Sequence, residues 1–124
     1  MKTFTLEEAN ELLLEIKPKL SSLSRLYSAI NDYRHGSRAA ASSSHFGGGM
    51  TGGSDYVNKL FTVGQLTTEI TELGIELKDY SRGLIDFPSI RNGRTVYLCW
   101  ELADEDEIGW WHEIDDGFAG RQPL

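Results

Sequence analysis

The residues best suited to chemistry lie in the last third of the chain, where residues 112–116 read HEIDD. This run superficially resembles the HExxH pattern, in which two histidines one helical turn apart reach the same zinc ion. Here Asp116 stands where the second histidine would be, and Gly117 follows it. The metalloprotease signal is therefore weak, although His112 and Glu113 remain candidates for catalysis.

Two further carboxylates, Asp86 and Glu101, resemble the acid pairs of glycosidases and other acid–base enzymes. Both lie in predicted strands of one hairpin, on the same face and roughly 5–8 Å apart by sheet geometry. This separation is compatible with catalysis. Acids on a sheet are usually solvated or paired, however, for instance with Arg82 or Arg121, and so catalysis is the minority interpretation.

A metal site is an alternative interpretation of the same residues, with His112 joined by Glu101 and Asp86 as ligands. The predicted strand register opposes it, because His112 falls on the core face of the sheet while both carboxylates point the other way. A β-bulge beside His112 would be needed to bring the three together. We therefore predict no cofactor, and we interpret His112 as a structural group hydrogen-bonded at the edge of the core.

Cys99 is the single cysteine of the chain. The predicted hairpin places it beside Asp86, whose charge would raise rather than lower the thiol pKa. A catalytic cysteine also needs a histidine on its own face, and His112 is predicted to face away. Cys99 is therefore interpreted as a packing residue. Because one cysteine cannot form an intrachain disulfide, the sequence fits a reducing cytosol.

Composition limits the class of protein further. The 124 residues suit one domain with a real core, and the formal charge is −7. Residues 101–116 hold eight Asp or Glu and no Lys or Arg, which argues against nucleic-acid binding because that depends on basic side chains. No apolar run approaches the ~20 residues of a membrane span, and no signal peptide is recognisable. We expect a cytoplasmic protein without nucleic-acid or membrane partners.

Two long helices are predicted in the first two thirds of the chain. Thr5 and Glu8 form a T-x-x-E capping box that starts helix one, over 5–35. Apolar residues recur every seven residues in this helix and in helix two, over 55–80, which predicts an antiparallel helical hairpin. The segment 36–54 between them is rich in Gly and Ser and is predicted to be a flexible linker.

The hydrophobic period changes to two over residues 83–116, which predicts strands. Asn92-Gly93 favours a type I′ turn, and the register that it sets pairs Asp86 with Cys99. With a second hairpin, this segment becomes a meander of three strands. The predicted fold is a single α+β domain in which the helical hairpin packs on a three-stranded antiparallel β-meander.

The second hairpin is derived by pairing Leu102 with Ile108. This register sets Trp100 opposite Trp110 in the core, and it turns Trp111 to the outer face of the sheet. A one-residue error here would exchange the two faces of the last strand.

The outer face of the sheet is predicted to carry Tyr97 and Trp111, two large aromatic side chains that need cover. The C-terminal tail, 117–124, is predicted to be ordered and is one source of that cover. A second copy of the chain, or else a ligand or foreign partner, is the alternative. Tyr97, Trp111, Arg82 and Arg121 are accordingly the predicted binding residues.

An ordered series of motifs in the C-terminal half resembles a known family. The motifs are RGLIDFP at 82–88, LCW at 98–100, WHE at 111–113 and GFAGRQPL at 117–124. They are similar to the uncharacterised bacterial proteins known as domain of unknown function 2203, and the likeness covers most of the chain outside the linker. The family typically has Gly-Glu soon after the Cys-Trp strand, where this chain has the acidic turn 103–107. The resemblance implies a bacterial setting and no established activity.

The sequence therefore favours a non-enzymatic interaction or small-ligand-binding module that acts as a homodimer. The alternative is a small metal-assisted hydrolase built on His112, Glu113, Glu101 and Asp86. Metal content separates the two, because the hydrolase needs an ion that the binding module does not.

Overall fold

The structure is a computed structural model that describes the backbone of residues 1–41 and 48–124 and the side chains of residues 1–34 and 54–124. Within these residues the elements are α1 (Leu6–Ala41), α2 (Gly48–Glu72), β1 (Glu76–Asp79), β2 (Leu84–Arg91), β3 (Arg94–Trp100), β4 (Trp110–Glu113), a 3₁₀ turn (Phe118–Gly120) and β5 (Gln122–Pro123). The strands form one antiparallel sheet in the order β1-β2-β3-β4-β5. The α+β class is confirmed. Of the segment 36–54 that was predicted to be a linker, residues 36–41 continue α1, residues 48–54 begin α2, and residues 42–47 lie outside the described residues. The flexibility of the segment stays a prediction.

The start of α1 forms as the capping box predicts. The Thr5 amide donates to Glu8 Oε1 at 2.8 Å, and the Glu8 amide donates to Thr5 Oγ1 at 3.1 Å. Just before the helix, the Phe4 amide donates to the Pro88 carbonyl at 2.7 Å, and the Phe4 ring meets Phe87 edge to face. These contacts attach the beginning of α1 to the inner face of the sheet.

The core lies between the helices and this inner face. Its buried members are Phe4, Ala9, Leu13, Ile16, Leu20, Leu23, Ile70, Ile75, Ile85, Phe87, Val96, Leu98, Trp100, Ile108 and Trp111. Leu23 is the last α1 residue among them. Farther along, the two helices pack on each other, as in the stack of Tyr33 on Tyr56 with ring centroids 4.6 Å apart.

The first hairpin has the predicted register. Asp86 pairs with Cys99 across β2 and β3. Asn92 and Gly93 have φ angles of 52° and 79°, and a type I′ turn requires a positive φ at both central positions. Asp86 and Cys99 are thereby fixed as cross-strand neighbours on the outer face.

The sheet has five strands, not the predicted three. α2 ends at Glu72, earlier than predicted, and residues 76–79 pair with β2 as an edge strand. Gly74 has a φ of 95°, the left-handed conformation with which helices commonly end. Leu77 and Tyr80, whose spacing fitted the helical seam, pack against the same core from β1 and the turn after it.

The register of β4 differs from the prediction by one residue. The observed pairs are Leu98 with Trp111, Cys99 with Trp110, and Tyr97 with His112. Because side chains alternate along a strand, this slip reverses the faces of the whole strand. Trp111 therefore lies in the core, where Trp110 was predicted, and Trp110 and His112 lie on the outer face.

The connection between β3 and β4, residues 101–109, explains the slip. It is a loop with hydrogen bonds of its own, since the Glu101 amide donates to Asp104 Oδ2 at 3.0 Å and the Asp104 amide donates to the Glu101 carbonyl at 2.9 Å. The Ile108 amide donates to Asn10 Oδ1 on α1 at 2.9 Å instead of extending the ladder. These bonds, rather than a symmetrical hairpin turn, set where β4 begins.

Candidate functional site on the outer sheet face

Three side chains that can ligate metals or exchange protons meet on the outer face of the sheet. They are Asp86 on β2, Cys99 on β3 and His112 on β4, and we call them the Asp86–Cys99–His112 cluster. His112 Nε2 is 3.0 Å from Asp86 Oδ1, and the donor atoms of the three residues all lie within 4.8 Å of one another. All three residues are buried, with 4 %, 1 % and 2 % of their surfaces exposed.

The hydrogen bonds of His112 fix how its ring is used. Nδ1 lies 2.7 Å from the Glu113 carbonyl oxygen, which only accepts, so Nδ1 carries a hydrogen. Nε2 is then the nitrogen that faces Asp86. Because the neutral ring then has no hydrogen on Nε2, the hydrogen bond between Nε2 and Asp86 Oδ1 needs one hydrogen between the two atoms.

Burial shifts the titration of the other two members. It raises the pKa of Asp86 above the ordinary value, although the charge and hydrogen bond of His112 act in the opposite direction. Burial and the neighbouring Asp86 charge raise the pKa of Cys99 to about 12, against the effect of Arg121. A thiol with this pKa stays protonated at neutral pH, and a protonated thiol is a poor nucleophile. His112, predicted to face away from Cys99, lies on the same face.

A cavity of about 180 Å³ lies over the cluster. Its lining residues are Lys78, Leu84, Asp86, Tyr97, Cys99, His112, Ile114, Gly117 and Phe118. The cluster supplies polar wall together with Lys78 and Tyr97, while Leu84, Ile114 and Phe118 supply apolar surface. The outer face is therefore enclosed in part but not completely packed.

The C-terminal tail forms part of this enclosure. Gly117, with a φ of 65°, turns the chain back, and Phe118 then begins the 3₁₀ turn and lines the cavity. Residues 122–123 pair with β4 as the fifth strand. The Leu124 amide donates to the Gly109 carbonyl at 2.9 Å. The tail is thus one of the covers that the sequence suggested, while cover by a second copy or by a ligand stays a prediction.

Two arginines hold the tail in place, in a group that we call the arginine clamp (Arg82, Glu101, Asp104 and Arg121). Arg121 donates to the two carboxylate oxygens of Asp104 at 2.8 and 2.9 Å. Arg82 donates to both oxygens of Glu101 at 3.0 and 2.9 Å. The Phe118 ring lies against both guanidinium groups, 4.0 Å from Arg82 and 4.3 Å from Arg121.

The structure separates the other predicted site residues. Glu101 is held by Arg82, and Glu113 pairs with Arg94 at the end of β4, so neither belongs to the cluster. Trp111, predicted as a binding residue on the outer face, is buried in the core on the other side of the sheet. Of the four acid, base and metal candidates, only Asp86 and His112 come together.

Two contributions were missed from the sequence. The first is β1, where Lys78 lines the cavity and Glu76 accepts a hydrogen bond from Lys78 at 2.9 Å. The Glu76 carboxylate near Tyr97, together with burial, raises the pKa of Tyr97 to about 12. Gly74, as a helix-ending residue, was the signal for this strand. The second is Asp104, the main carboxylate partner of Arg121.

These features define a class of α+β protein. A helical hairpin packs on one face of a five-stranded sheet, and the other face carries a partly enclosed cavity with polar residues in its wall. The chain belongs to the family described as Uncharacterized conserved protein (DUF2203), whose model matches residues 2–124. The resemblance seen in the motifs is confirmed. No curated protein and no solved structure matches the chain.

The structure bears on only one of the predictions about cellular location and partners, the absence of a membrane-spanning helix. In the part of the chain that the structure describes, no helix combines the length and the apolar character needed to cross a membrane. The bacterial origin, the cytoplasmic location and the absence of a nucleic-acid partner stay predictions.

Proposed function

We propose that this protein is a non-enzymatic binding module that takes a small ligand into the cavity on the outer sheet face. One observation carries the proposal, which is the burial of Asp86, Cys99 and His112 together at the wall of a cavity. Buried ionisable groups cost free energy unless they are paired, and a group of them beside a cavity is typical of functional sites. The apolar rest of the lining resembles that of ligand pockets.

The volume of the cavity limits the size of the ligand. A cavity of about 150 Å³ holds a molecule such as benzene, and this one measures about 180 Å³. It suits one small ring or a short chain with a single polar group directed at Asp86 and His112. Lys78 at the edge is already paired with Glu76, so a strongly charged ligand gains less than a neutral or singly charged one.

Small aromatic probes test this binding site. Phenol, benzoate and benzylamine are titrated into isotope-labelled protein, and at least one is expected to shift the amide resonances of Cys99, His112 and Phe118. Ile114→Trp should abolish these shifts, because Ile114 lies at the cavity with 48 % of its surface exposed and the larger ring would fill the entrance. Ile90→Trp, at a site that is 56 % exposed and outside this cavity, is the matched control and should leave them unchanged. Absence of cavity shifts with all three probes would contradict the proposal.

The proposed module acts as a homodimer, and α2 offers the surface that supports this part. Val57, Leu60 and Phe61 are 60 %, 44 % and 73 % exposed, and their spacing places them on one side of the helix. The adjacent Asp55 and Lys59 neutralise each other in a salt bridge. A two-fold contact brings the same stripe of each copy together, so this neutral stripe suits self-association better than the acidic segment 101–116.

Replacing Phe61 with glutamate is therefore expected to convert a dimer into a monomer. The change places a charge in the middle of the apolar stripe, where two copies would bring like charges together. Leu14→Glu on α1, where the side chain is 71 % exposed, is the control and should leave the mass unchanged. Light scattering at micromolar concentrations measures the mass, and a monomeric unaltered protein would remove the dimer from the proposal.

The metal-assisted hydrolase remains a second candidate because Asp86 and His112, two of its four predicted residues, do come together at 3.0 Å. Glu101 and Glu113 are engaged by arginines instead. The hydrolase depends on a bound metal ion, so demonstration that the purified protein cannot bind one would exclude it.

A further inference from the structure

We infer that the Asp86–Cys99–His112 cluster binds a divalent transition metal ion of the zinc type, which is the polar anchor of the proposed small-ligand site. The inference rests on the proposed function, because the ion would occupy the wall of the same cavity. A thiolate, an imidazole and a carboxylate are the three side-chain ligand types that zinc takes in proteins. Among the described side chains, this is the one group of three such residues found close enough to share an ion.

The spacing of the donor atoms suits one ion. Bonds of about 2.0–2.3 Å in a tetrahedral arrangement place the ligand atoms roughly 3–4 Å apart. Asp86 Oδ1 and His112 Nε2 are already 3.0 Å apart, and all three donor atoms lie within 4.8 Å of one another. The cross-strand pair of Asp86 and Cys99 sets the spacing through the backbone. Binding therefore requires side-chain adjustment but no change in strand register.

The surroundings of His112 prepare it as a ligand. Its Nδ1–H group donates to the Glu113 carbonyl at 2.7 Å, which leaves the Nε2 lone pair directed at the cluster. A metal-binding histidine normally donates its other ring hydrogen to a carbonyl or carboxylate, and this bond orients the ring. Arg121 acts to lower the pKa of Cys99 against the effect of burial, and this favours the thiolate that a metal ion requires.

The charges and protons balance for a divalent ion. Every described buried side-chain nitrogen or oxygen atom has a hydrogen-bond partner. The ion would therefore take the place of protons and would not satisfy an unpaired polar atom. Binding displaces the thiol proton of Cys99 and the proton held between Asp86 and His112. Two protons leave as two positive charges arrive, and the bound cluster holds one thiolate, one carboxylate and a neutral imidazole.

Three protein ligands leave one tetrahedral position for an external group. Structural zinc sites use four protein ligands, whereas catalytic sites use three and keep the fourth position open for water or substrate. A bound ion at this site would therefore not by itself separate the binding module from the metal-assisted hydrolase. The open position here would face the cavity, whose apolar walls include Leu84, Ile114 and Phe118. The small ligand is therefore expected to carry one metal-binding atom on a compact apolar body.

Cobalt(II) is the probe for this site, because a cobalt–thiolate bond produces a charge-transfer band that carboxylates and imidazole alone do not. The full chain is treated with chelator, titrated with cobalt(II) and then with zinc(II). The expected result is one equivalent of tetrahedral cobalt with this band, and loss of the band as zinc displaces it. Cys99→Ser should remove the band, and His112→Gln and Asp86→Asn should weaken cobalt binding at least tenfold.

Control variants distinguish cobalt binding at the cluster from cobalt binding at surface acids and from loss of folding. Asp115→Asn changes an exposed acid near the site in sequence and should leave the titration unchanged. Each variant is first checked by circular dichroism, and Cys99→Ala replaces Cys99→Ser if the serine does not fold. An unaltered protein that shows no band, or a spectrum that persists in the folded Cys99 variant, overturns the inference.

The outcome is distinguishable from failure of the proposed function. If cobalt gives no thiolate band but phenol, benzoate or benzylamine still shifts the cavity resonances, the metal inference fails alone. If neither cobalt nor any of these probes reaches the cavity, both fail.

Discussion

Replacing Trp111 with alanine is expected to lower the free energy of unfolding by about 3–5 kcal/mol, the usual cost of truncating a large aromatic side chain in a core. Trp111 is 7 % exposed, pairs with Leu98 and belongs to the buried cluster between helices and sheet. Trp110→Ala is the matched control, because Trp110 is one residue away but lies on the outer face. Its ring meets the Arg121 guanidinium at 4.6 Å, a contact worth on the order of 1 kcal/mol.

Urea unfolding followed by circular dichroism measures both variants without relying on tryptophan fluorescence. A larger loss for Trp110→Ala than for Trp111→Ala would restore the register in which Trp110 faces Trp100 in the core. Equal losses would contradict the alternation of faces on which both registers depend. The comparison also bears on the site, because the strand that buries Trp111 is the one that turns His112 toward Asp86.

The parts of the fold that local chemistry specifies could be predicted from the sequence. The capping box of Thr5 and Glu8 forms because the two residues satisfy each other's backbone amides within one turn. The first hairpin has the predicted register because Asn92-Gly93 requires one particular turn and so fixes the pairing. In both cases the determinants lie within a few residues of the structure that they set.

The second hairpin could not be predicted in the same way. Its connection spans residues 101–109 and is shaped by bonds to distant groups, such as that from the Ile108 amide to Asn10 on α1. Pairing Leu102 with Ile108 gave an equally apolar inner face, since Trp110 and Trp111 are adjacent and either suits a core. Hydrophobic pattern alone therefore left two registers that differ by one residue.

The same error hid the candidate site. Asp86 and Cys99 are correctly predicted as neighbours, but His112 is assigned to the opposite face. For that reason the sequence offers a metal site only as an alternative, with Glu101 in place of Cys99 as a ligand. β1 was missed because Leu77 and Tyr80 continue the seven-residue spacing of α2 after the helix has ended. Leu77 and Tyr80 do pack against the core, as they would in a helix, but they reach it from a strand and a turn. The apolar spacing therefore does not distinguish the two backbones.

Replacing Arg121 with methionine is expected to destabilise the protein by about 2 kcal/mol at neutral pH, because it leaves the partly buried Asp104 carboxylate without its charged hydrogen-bond donor. The side chains of Arg121 and Asp104 are 14 % and 11 % exposed, and they form two hydrogen bonds. Methionine keeps the apolar stem but removes the guanidinium, so the loss includes its contacts with the Trp110 and Phe118 rings as well as the charge pair. Arg94→Met is the matched control. Its pair with Glu113 has side chains 52 % and 34 % exposed, and exposed pairs contribute at most about 1 kcal/mol.

The pH dependence of this loss tests whether the charge pair is its cause. Burial alone would raise the pKa of Asp104, but the hydrogen bonds from Arg121 and the Glu101 backbone and the charge of Arg121 outweigh it and hold the pKa below its ordinary value. A lowered pKa in the folded state gives stability that is present above the unfolded-state pKa of about 3.9 and lost as pH falls through the folded-state value.

In the Arg121→Met variant, burial acts without Arg121, so the Asp104 carboxylate takes up its proton at a higher pH. The difference in unfolding free energy between the unaltered protein and Arg121→Met should therefore narrow as the pH is lowered from 7 toward 3. A difference that stays constant over this range would mean that Arg121 holds the tail through packing on Phe118 and Trp110 and that its charge contributes nothing.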